Sequence, residues 1–218
     1  MEEERPRFLR LRPLEFDLGD LLVQIVAVAL GVIAGLAVNA WQDGVHDRVV
    51  LRRDLSYLAV EIQDNREQLL GQQPLHRRAG ETLDALVASG QRRGGVVTFW
   101  EFATTLQQAM PHGYGEFLPE TTAWQIAQRD GLTLMPYGDR AELTKLYDVQ
   151  TRVVELQQAF VDSLFAGARD AGGNFFLATI ASSARAHDVV AQEEHLSTDY
   201  AKAIDHLRAR GYPAGGNP

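Results

Sequence analysis

Histidines and carboxylates are the side chains most able to do chemistry in this chain, because it contains no cysteine. A metal site or a catalytic pair needs such residues close together, for example two histidines three or four residues apart on one helix face. No two of the six histidines have that spacing; they are His46, His76, His112, His187, His195 and His206. The densest ligand-like group is Glu193-Glu194-His195, which we interpret as a solvated face at a helix end.

Motifs for nucleophilic catalysis and phosphate binding are also absent from the sequence. There is no Gly-x-Ser-x-Gly elbow and no dinucleotide fingerprint, and the pairs Gly113-x-Gly115 and Gly172-Gly173 do not follow a predicted strand. The net charge of −8 argues against a nucleic-acid partner, because phosphate binding needs a clustered positive surface. We therefore predict a protein that is not an enzyme and has no catalytic residues, cofactor or metal.

The longest uncharged stretch runs from Leu21 to Trp41 and contains 21 residues. As an α-helix it would be about 31 Å long, close to the ~30 Å hydrocarbon thickness of a bilayer. Eleven of its positions are Leu, Ile or Val, and each favours the membrane centre by about 0.3 to 0.6 kcal/mol, so insertion is favoured by about 3 to 7 kcal/mol. We predict one transmembrane helix, with Trp41 as an anchor at the membrane interface.

Small and amide side chains recur along one face of this helix. They are Gln24, Ala27, Gly31, Gly35 and Asn39. The Gly31-x-x-x-Gly35 spacing lets two helix backbones approach closely in a membrane. Glycine is also simply common in membrane helices, which is the alternative explanation. We predict that this stripe is a helix–helix interface with a second copy of the chain or with another membrane subunit.

Arginines on both sides of the span bear on its orientation. Four lie within residues 5–12, and Arg48, Arg52 and Arg53 follow the span. Because basic residues near a span favour the cytoplasmic side, we predict a cytoplasmic N-terminus and a periplasmic C-terminal domain at a bacterial inner membrane. A cleaved signal peptide is the alternative, but its apolar region is normally about 7 to 15 residues long.

After Gly44 the apolar residues follow a short heptad pattern. Its members are Leu51, Leu55, Leu58, Ile62 and Leu69, and Asn65 occupies the skipped core position. The charged side chains of this segment, including Asp54, Glu61 and Asp64, are expected to lie off the apolar seam. Fewer than three complete heptads are too few for a free coiled coil, so this helix is expected to pack against later helices of the chain.

Capping and stop signals indicate the next helices. Pro74 is expected to begin a helix that ends at Gly90. Thr98 and Glu101 form a capping box, which predicts a helix that Pro111 stops.

The second half of the chain also reads as helical. A short helix is predicted for residues 120–130, and the longest soluble helix should begin with Asp139 as its N-cap and Glu142 at its third position. Two separate helices are expected for residues 174–193 and 198–210. No segment shows the period-two alternation of a strand.

The predicted fold is therefore all-α: one N-terminal transmembrane helix followed by an antiparallel helical bundle of about five to six helices. We divide the chain into a cytoplasmic leader (residues 1–20), the transmembrane helix (21–41), a helical extramembrane domain (42–211) and a disordered tail (212–218). The extramembrane part has the size of one ordinary domain.

Two segments carry a resemblance to a known family. The first is residues 38–43, VNAWQD, and the second is residues 121–126, TTAWQI, with Gly131-Leu132 and residues 139–147 after it. They are similar to the Asn-x-Trp-Asn-Glu exit sequence, the Trp-containing short helix, the Gly-Leu turn and the Leu-x-x-Leu-Tyr helix of a bacterial family of uncharacterised single-span membrane proteins with a helical domain. Here Gln42 and Asp43 replace the commoner Asn and Glu.

The resemblance implies no enzymatic activity, cofactor or catalytic residue. Within the matched segments, Trp124 and Tyr147 are expected to fill gaps between helices, and Gly131 is expected to supply a left-handed turn.

We predict an interaction protein: a membrane-anchored helical scaffold, or an accessory subunit of an inner-membrane assembly. Its expected partners are the lipid bilayer and either itself or another membrane subunit. The alternative is a single-pass sensor whose helical domain binds a small ligand in a cleft near Trp100, Trp124 and Tyr147 and passes a signal through residues 51–69.

Overall fold

The computed structural model describes residues 18–111, 113–170 and 173–212. These residues form five α-helices and one 3-10 turn, and they contain no β-strand. The helices are α1 (Leu18–Arg92), α2 (Phe99–Ala109), α3 (Thr122–Asp130), α4 (Tyr137–Asp170) and α5 (Phe176–Ala209), and Leu132–Leu134 forms the 3-10 turn. The prediction of an all-α fold is confirmed for this part of the chain. The predicted leader up to residue 17 and the predicted tail from residue 213 lie outside the described residues.

The first helix continues through Pro74, so the predicted helix start at that residue is wrong. Proline inside a helix removes a backbone hydrogen bond and costs about 3 kcal/mol. Leu69, Ala79 and Leu83, on either side of Pro74, are fully buried. Burial of this kind supplies most of the stability of a helix in a protein and overrides a local propensity.

Two other boundaries differ from the prediction. The helix α5 is continuous from Phe176 to Ala209, although two helices were expected there. The helix α4 begins at Tyr137, so Asp139 lies in its first turn and is not its N-cap. The capping box of α2 is confirmed, because the Glu101 amide donates to Thr98 Oγ1 and the Thr98 amide donates to the Glu101 carboxylate.

The chain divides into two units between His46 and Asp47. The second unit has a core of two hydrophobic clusters. The first cluster joins α1, α3, α4 and α5 and includes Leu58, Trp124 and Tyr200. The second joins α1, α2, α4 and α5 and includes Leu83, Phe102 and Phe160.

Buried hydrogen bonds connect α4 to α5 in a regular order. Gln157 Nε2 donates to Glu193 Oε1 at 2.6 Å, and Tyr200 Oη donates to Gln150 Oε1 at 2.6 Å. Residue numbers therefore rise along α4 as they fall along α5. A helix boundary near residue 193 would interrupt this packing.

Candidate functional site

In the first unit, α1 exposes a continuous apolar surface. Its ten Leu, Ile and Val side chains from Leu22 to Val38 are 48–67% exposed. Among the described residues, α1 contains the one helix segment long and apolar enough to cross a membrane. This finding agrees with a membrane span in this region of the chain.

The predicted interface stripe lies on this exposed helix. Gln24, Ala27 and Asn39 are exposed, and a Cβ atom added at Gly31 or Gly35 would meet no atom within 4 Å. Trp41 is also 71% exposed. The roles of the stripe as a helix–helix interface and of Trp41 as a membrane anchor remain predictions.

A cavity of about 470 Å³ lies within the second unit, between α1, α4 and α5. We call it the apolar cavity, because buried leucines from three helices form much of its wall. Leu55 comes from α1, Leu143 and Leu146 from α4, and Leu207 from α5. Cavities of about 300–1,000 Å³ with apolar walls are the usual sites of small ligands.

Ionisable side chains also line the apolar cavity. Asp139 accepts hydrogen bonds from His206 Nε2 at 3.2 Å and Arg210 Nη2 at 3.0 Å, and these bonds connect α4 to α5. Lys202 Nζ donates to Asp199 Oδ1 at 2.9 Å. Within the described part of the chain, the remaining two charged side chains, Glu142 and Lys145, make no ion pair. The lining therefore keeps one anion and one cation available to a ligand.

A second cleft, of about 340 Å³, lies between α1 and the start of α3. Its lining includes four carboxylates: Asp54, Glu61, Asp64 and Glu120. No group of three or more His, Asp or Glu side chains in the described ranges is placed to hold a metal ion. Asp54 is 2% exposed and Glu61 is 4% exposed, so the expectation that these two charged residues lie off the apolar seam is wrong.

Glu61 is buried because its carboxylate caps α3. It accepts hydrogen bonds from the backbone amides of Ala123 at 2.6 Å and Trp124 at 3.2 Å, whereas the N-cap residue Thr121 makes no side-chain cap bond. Glu61 also accepts a bond from Tyr147 Oη at 2.6 Å. Burial raises the pKa of the Tyr147 hydroxyl, and the Glu61 carboxylate raises that pKa further.

Trp124 and Tyr147 are both buried and stack with their ring centroids 4.5 Å apart. Asn65 lies close by, where its side-chain amide donates to Glu120 O at 2.8 Å and accepts from Glu120 N at 2.7 Å. This pair of bonds holds the start of α3 against α1. Trp124 and Tyr147 therefore belong to a structural joint between α1, α3 and α4.

Gly131 does not have the left-handed conformation that we predicted. Its φ and ψ angles of −98° and −32° are right-handed. A Cβ atom at this position would lie 2.9 Å from Asp54 Oδ2, which is closer than ordinary van der Waals contact. A side chain at position 131 would therefore have to displace the buried Asp54 carboxylate of α1.

His76 and Glu193 form a second buried joint. His76 Nδ1 lies 2.5 Å from Glu193 Oε1, and His76 Nε2 lies 3.0 Å from the carbonyl oxygens of Tyr114 and Gly115. Both ring nitrogens thus face oxygen atoms of their partners. The interpretation of residues 193–195 as a solvated helix end is wrong for Glu193, which is fully buried in the middle of α5.

A Ser, an Asp and a His also meet on the surface between α1 and α5. Ser183 Oγ donates to Asp84, and His187 Nε2 lies 2.8 Å from Asp84 Oδ2. The Ser183 hydrogen bond is the main cause of the lowered pKa of Asp84, and His187 lowers it further. Because the aspartate lies between the other two, the histidine does not contact the serine oxygen as a catalytic triad requires.

The three aromatic residues of the hypothesised sensor cleft do not come together. Trp100 is 76% exposed and contacts Phe99, whereas Trp124 and Tyr147 lie in the first core cluster. The apolar cavity lies elsewhere in the domain. The sequence did not predict the apolar cavity, because its walls combine residues from three distant segments, near 51–55, 135–146 and 199–212. The periodic leucines of those segments were the only feature of the sequence that pointed to this cavity.

Comparisons of this chain with protein-family models, with curated proteins and with solved structures find no match.

Proposed function

We propose that this protein is a single-span membrane protein whose helical domain acts as a scaffold or an accessory subunit in a membrane assembly. The observation that carries the proposal is the exposed apolar surface of α1. Ten aliphatic side chains on about five helical turns are left without a protein partner in the described chain, and lipid is the solvent that suits such a surface.

The same proposal includes an orientation and a fold. The N-terminus is cytoplasmic, and the domain is an antiparallel helical bundle in the periplasm of a bacterium. The arginine distribution supports the orientation. The order of the hydrogen bonds between α4 and α5 supports the bundle.

Membrane fractionation tests the anchor. Full-length protein should sediment with membranes, resist extraction at alkaline pH and dissolve only in detergent. A periplasmic reporter enzyme fused at the C-terminus should be active, and a cytoplasmic one inactive. Protein that stays in the supernatant without detergent, or whose mature form begins near Trp41, would contradict the proposal.

Cysteine cross-linking tests the partner. Because the chain contains no cysteine of its own, every cross-link of this chain must form at the introduced cysteine. Gly31→Cys and Gly35→Cys should trap a second copy or a neighbouring subunit in native membranes. Ile33→Cys is the matched control, because it lies on the opposite side of the same helix at about 200° from Gly31. Equal products at all three positions, or none at any, would argue against an interface on the glycine face.

A second candidate function is a sensor whose helical domain binds a small ligand. The 470 Å³ apolar cavity favours it, and one wall of the cavity comes from Leu51 and Leu55 in the helix segment proposed to transmit the signal. Under this candidate, ligand binding should raise the unfolding temperature of the full-length protein. Substitutions around Trp100 should leave that shift unchanged, because Trp100 lies outside the cavity.

A further inference from the structure

The apolar cavity has walls suited to an alkyl chain. The buried side chains of Leu55, Leu143 and Leu207 come from three different helices and leave a volume of about 470 Å³ between them. An apolar group gains by leaving water for such a space, and an alkyl chain needs no hydrogen bonds from its walls.

Two charged side chains of the lining can contact the polar end of an occupant. Asp139, Asp199 and their basic partners satisfy one another, as described above. Glu142 and Lys145 are the two charged side chains of the lining that make no ion pair within the described part of the chain, and they lie three residues apart on α4. Side chains at this spacing have their Cβ atoms about 5–6 Å apart. A headgroup with one negative and one positive charge at a similar separation complements this pair of side chains. The Glu142 carboxylate would repel a purely anionic headgroup.

We propose that the apolar cavity binds one acyl chain of a zwitterionic phospholipid, with the phosphate near Lys145 and the ammonium group near Glu142. The inference rests on the proposed membrane anchor. Anchoring makes phospholipid the amphiphile at the highest effective concentration around the domain.

Photo-cross-linking in vesicles tests this assignment. Full-length protein is reconstituted in phosphatidylethanolamine vesicles that contain phosphatidylethanolamine with a photoactivatable acyl chain, and cross-linked residues are mapped by mass spectrometry. We expect products on the span and also on the leucines of the apolar cavity. Ala203→Trp should fill the cavity and reduce the cavity products by about tenfold, whereas Ala191→Trp, an exposed position on the same helix, should not.

A charge variant tests the headgroup assignment and leaves the buried leucines of the cavity in place. Glu142→Lys replaces the mixed pair with two cations on an exposed helix surface. It should shift the cavity products from photoactivatable phosphatidylethanolamine towards the phosphatidylglycerol analogue and leave the span products unchanged. Equal selectivity in the wild type and the variant would overturn the headgroup assignment.

The two proposals fail in different ways. Products on the span with none in the cavity would refute the lipid site and leave the anchor standing. Products at neither place would refute the anchor. A cavity cross-linked to a protein chain in native membranes would overturn the lipid assignment in favour of a protein occupant.

Discussion

The capping of α3 by Glu61 yields a quantitative prediction about stability. Glu61→Ala removes a carboxylate that two backbone amides and the Tyr147 hydroxyl share. Loss of a helix cap costs about 0.5–2 kcal/mol, and a buried hydroxyl left without an acceptor costs about 1–3 kcal/mol. We therefore expect Glu61→Ala to lower the free energy of unfolding of the helical domain by roughly 2–5 kcal/mol.

The assay is urea unfolding of the full-length protein in a mild detergent, followed by circular dichroism. Glu67→Ala is the control, because Glu67 is exposed and, within the residues that the structure describes, its side chain bonds only to Gln63 on the same helix. This variant should change stability by less than about 0.5 kcal/mol. The double variant with Tyr147→Phe should reveal a coupling of about 0.5–3 kcal/mol.

Two results would refute this account of Glu61. One is a loss below about 1 kcal/mol for Glu61→Ala, since that is less than the cap and the orphaned hydroxyl together require. The other is additivity of the Glu61 and Tyr147 substitutions within about 0.3 kcal/mol, which would mean that the two side chains do not interact.

Three further predictions concern Gly131, the capping box of α2 and the buried contact between His76 and Glu193. Gly131→Ala should destabilise the domain by about 1–3 kcal/mol, because the new methyl group meets the buried Asp54 side chain of α1. Gly138→Ala is the control and should not destabilise the domain, because a methyl group at position 138 would meet no atom within 4 Å. The backbone amide of Thr98, together with the Arg93 guanidinium and the Thr98 hydroxyl, lowers the pKa of Glu101 from 4.5 to about 2. The contribution of the ionised Glu101 to stability is therefore present above pH 4.5 and lost as the pH falls towards 2. An NMR titration midpoint near 4.5 would contradict this. His76→Leu should cost about 1–3 kcal/mol in urea unfolding, because the buried Glu193 carboxylate loses the His76 ring and keeps Gln157 as its hydrogen-bond donor. The double variant His76→Leu with Glu193→Leu should recover part of that loss, and no recovery would show that the two residues are not coupled.

Features that depend on neighbouring residues could be predicted from the sequence. The capping box at Thr98 involves residues three positions apart, and the apolar character of residues 21–41 is visible directly. Asn65 stands at a core position of the heptad pattern, and it is buried in the structure. Helical periodicity likewise predicted the all-α class.

Features that depend on distant partners could not be predicted in this way. The buried Glu193 carboxylate contacts His76, which is 117 residues away, and Gln157, which is 36 residues away. The neighbours of Glu193 in the sequence therefore suggested exposure to solvent, and that prediction was wrong. Gly131 resembled a turn glycine because nothing in its neighbours reveals the approach of Asp54. The helix break expected at Pro74 does not occur, because the packing of α1 outweighs the cost of one proline.

The buried polar side chains also determine the axial alignment of the helices. If leucines alone filled the contacts between the helices, α1 could shift along its axis by one helical turn, about 5.4 Å. After such a shift, each leucine would occupy the position of another leucine, and the packing would change little. Glu61, His76 and Glu193 would lose their partners in such a slide. At about 1–3 kcal/mol for each orphaned group, the slipped arrangement would forfeit a large share of the 5–15 kcal/mol that typically holds a domain together. These buried polar contacts therefore restrict α1 to a single axial position relative to its neighbouring helices.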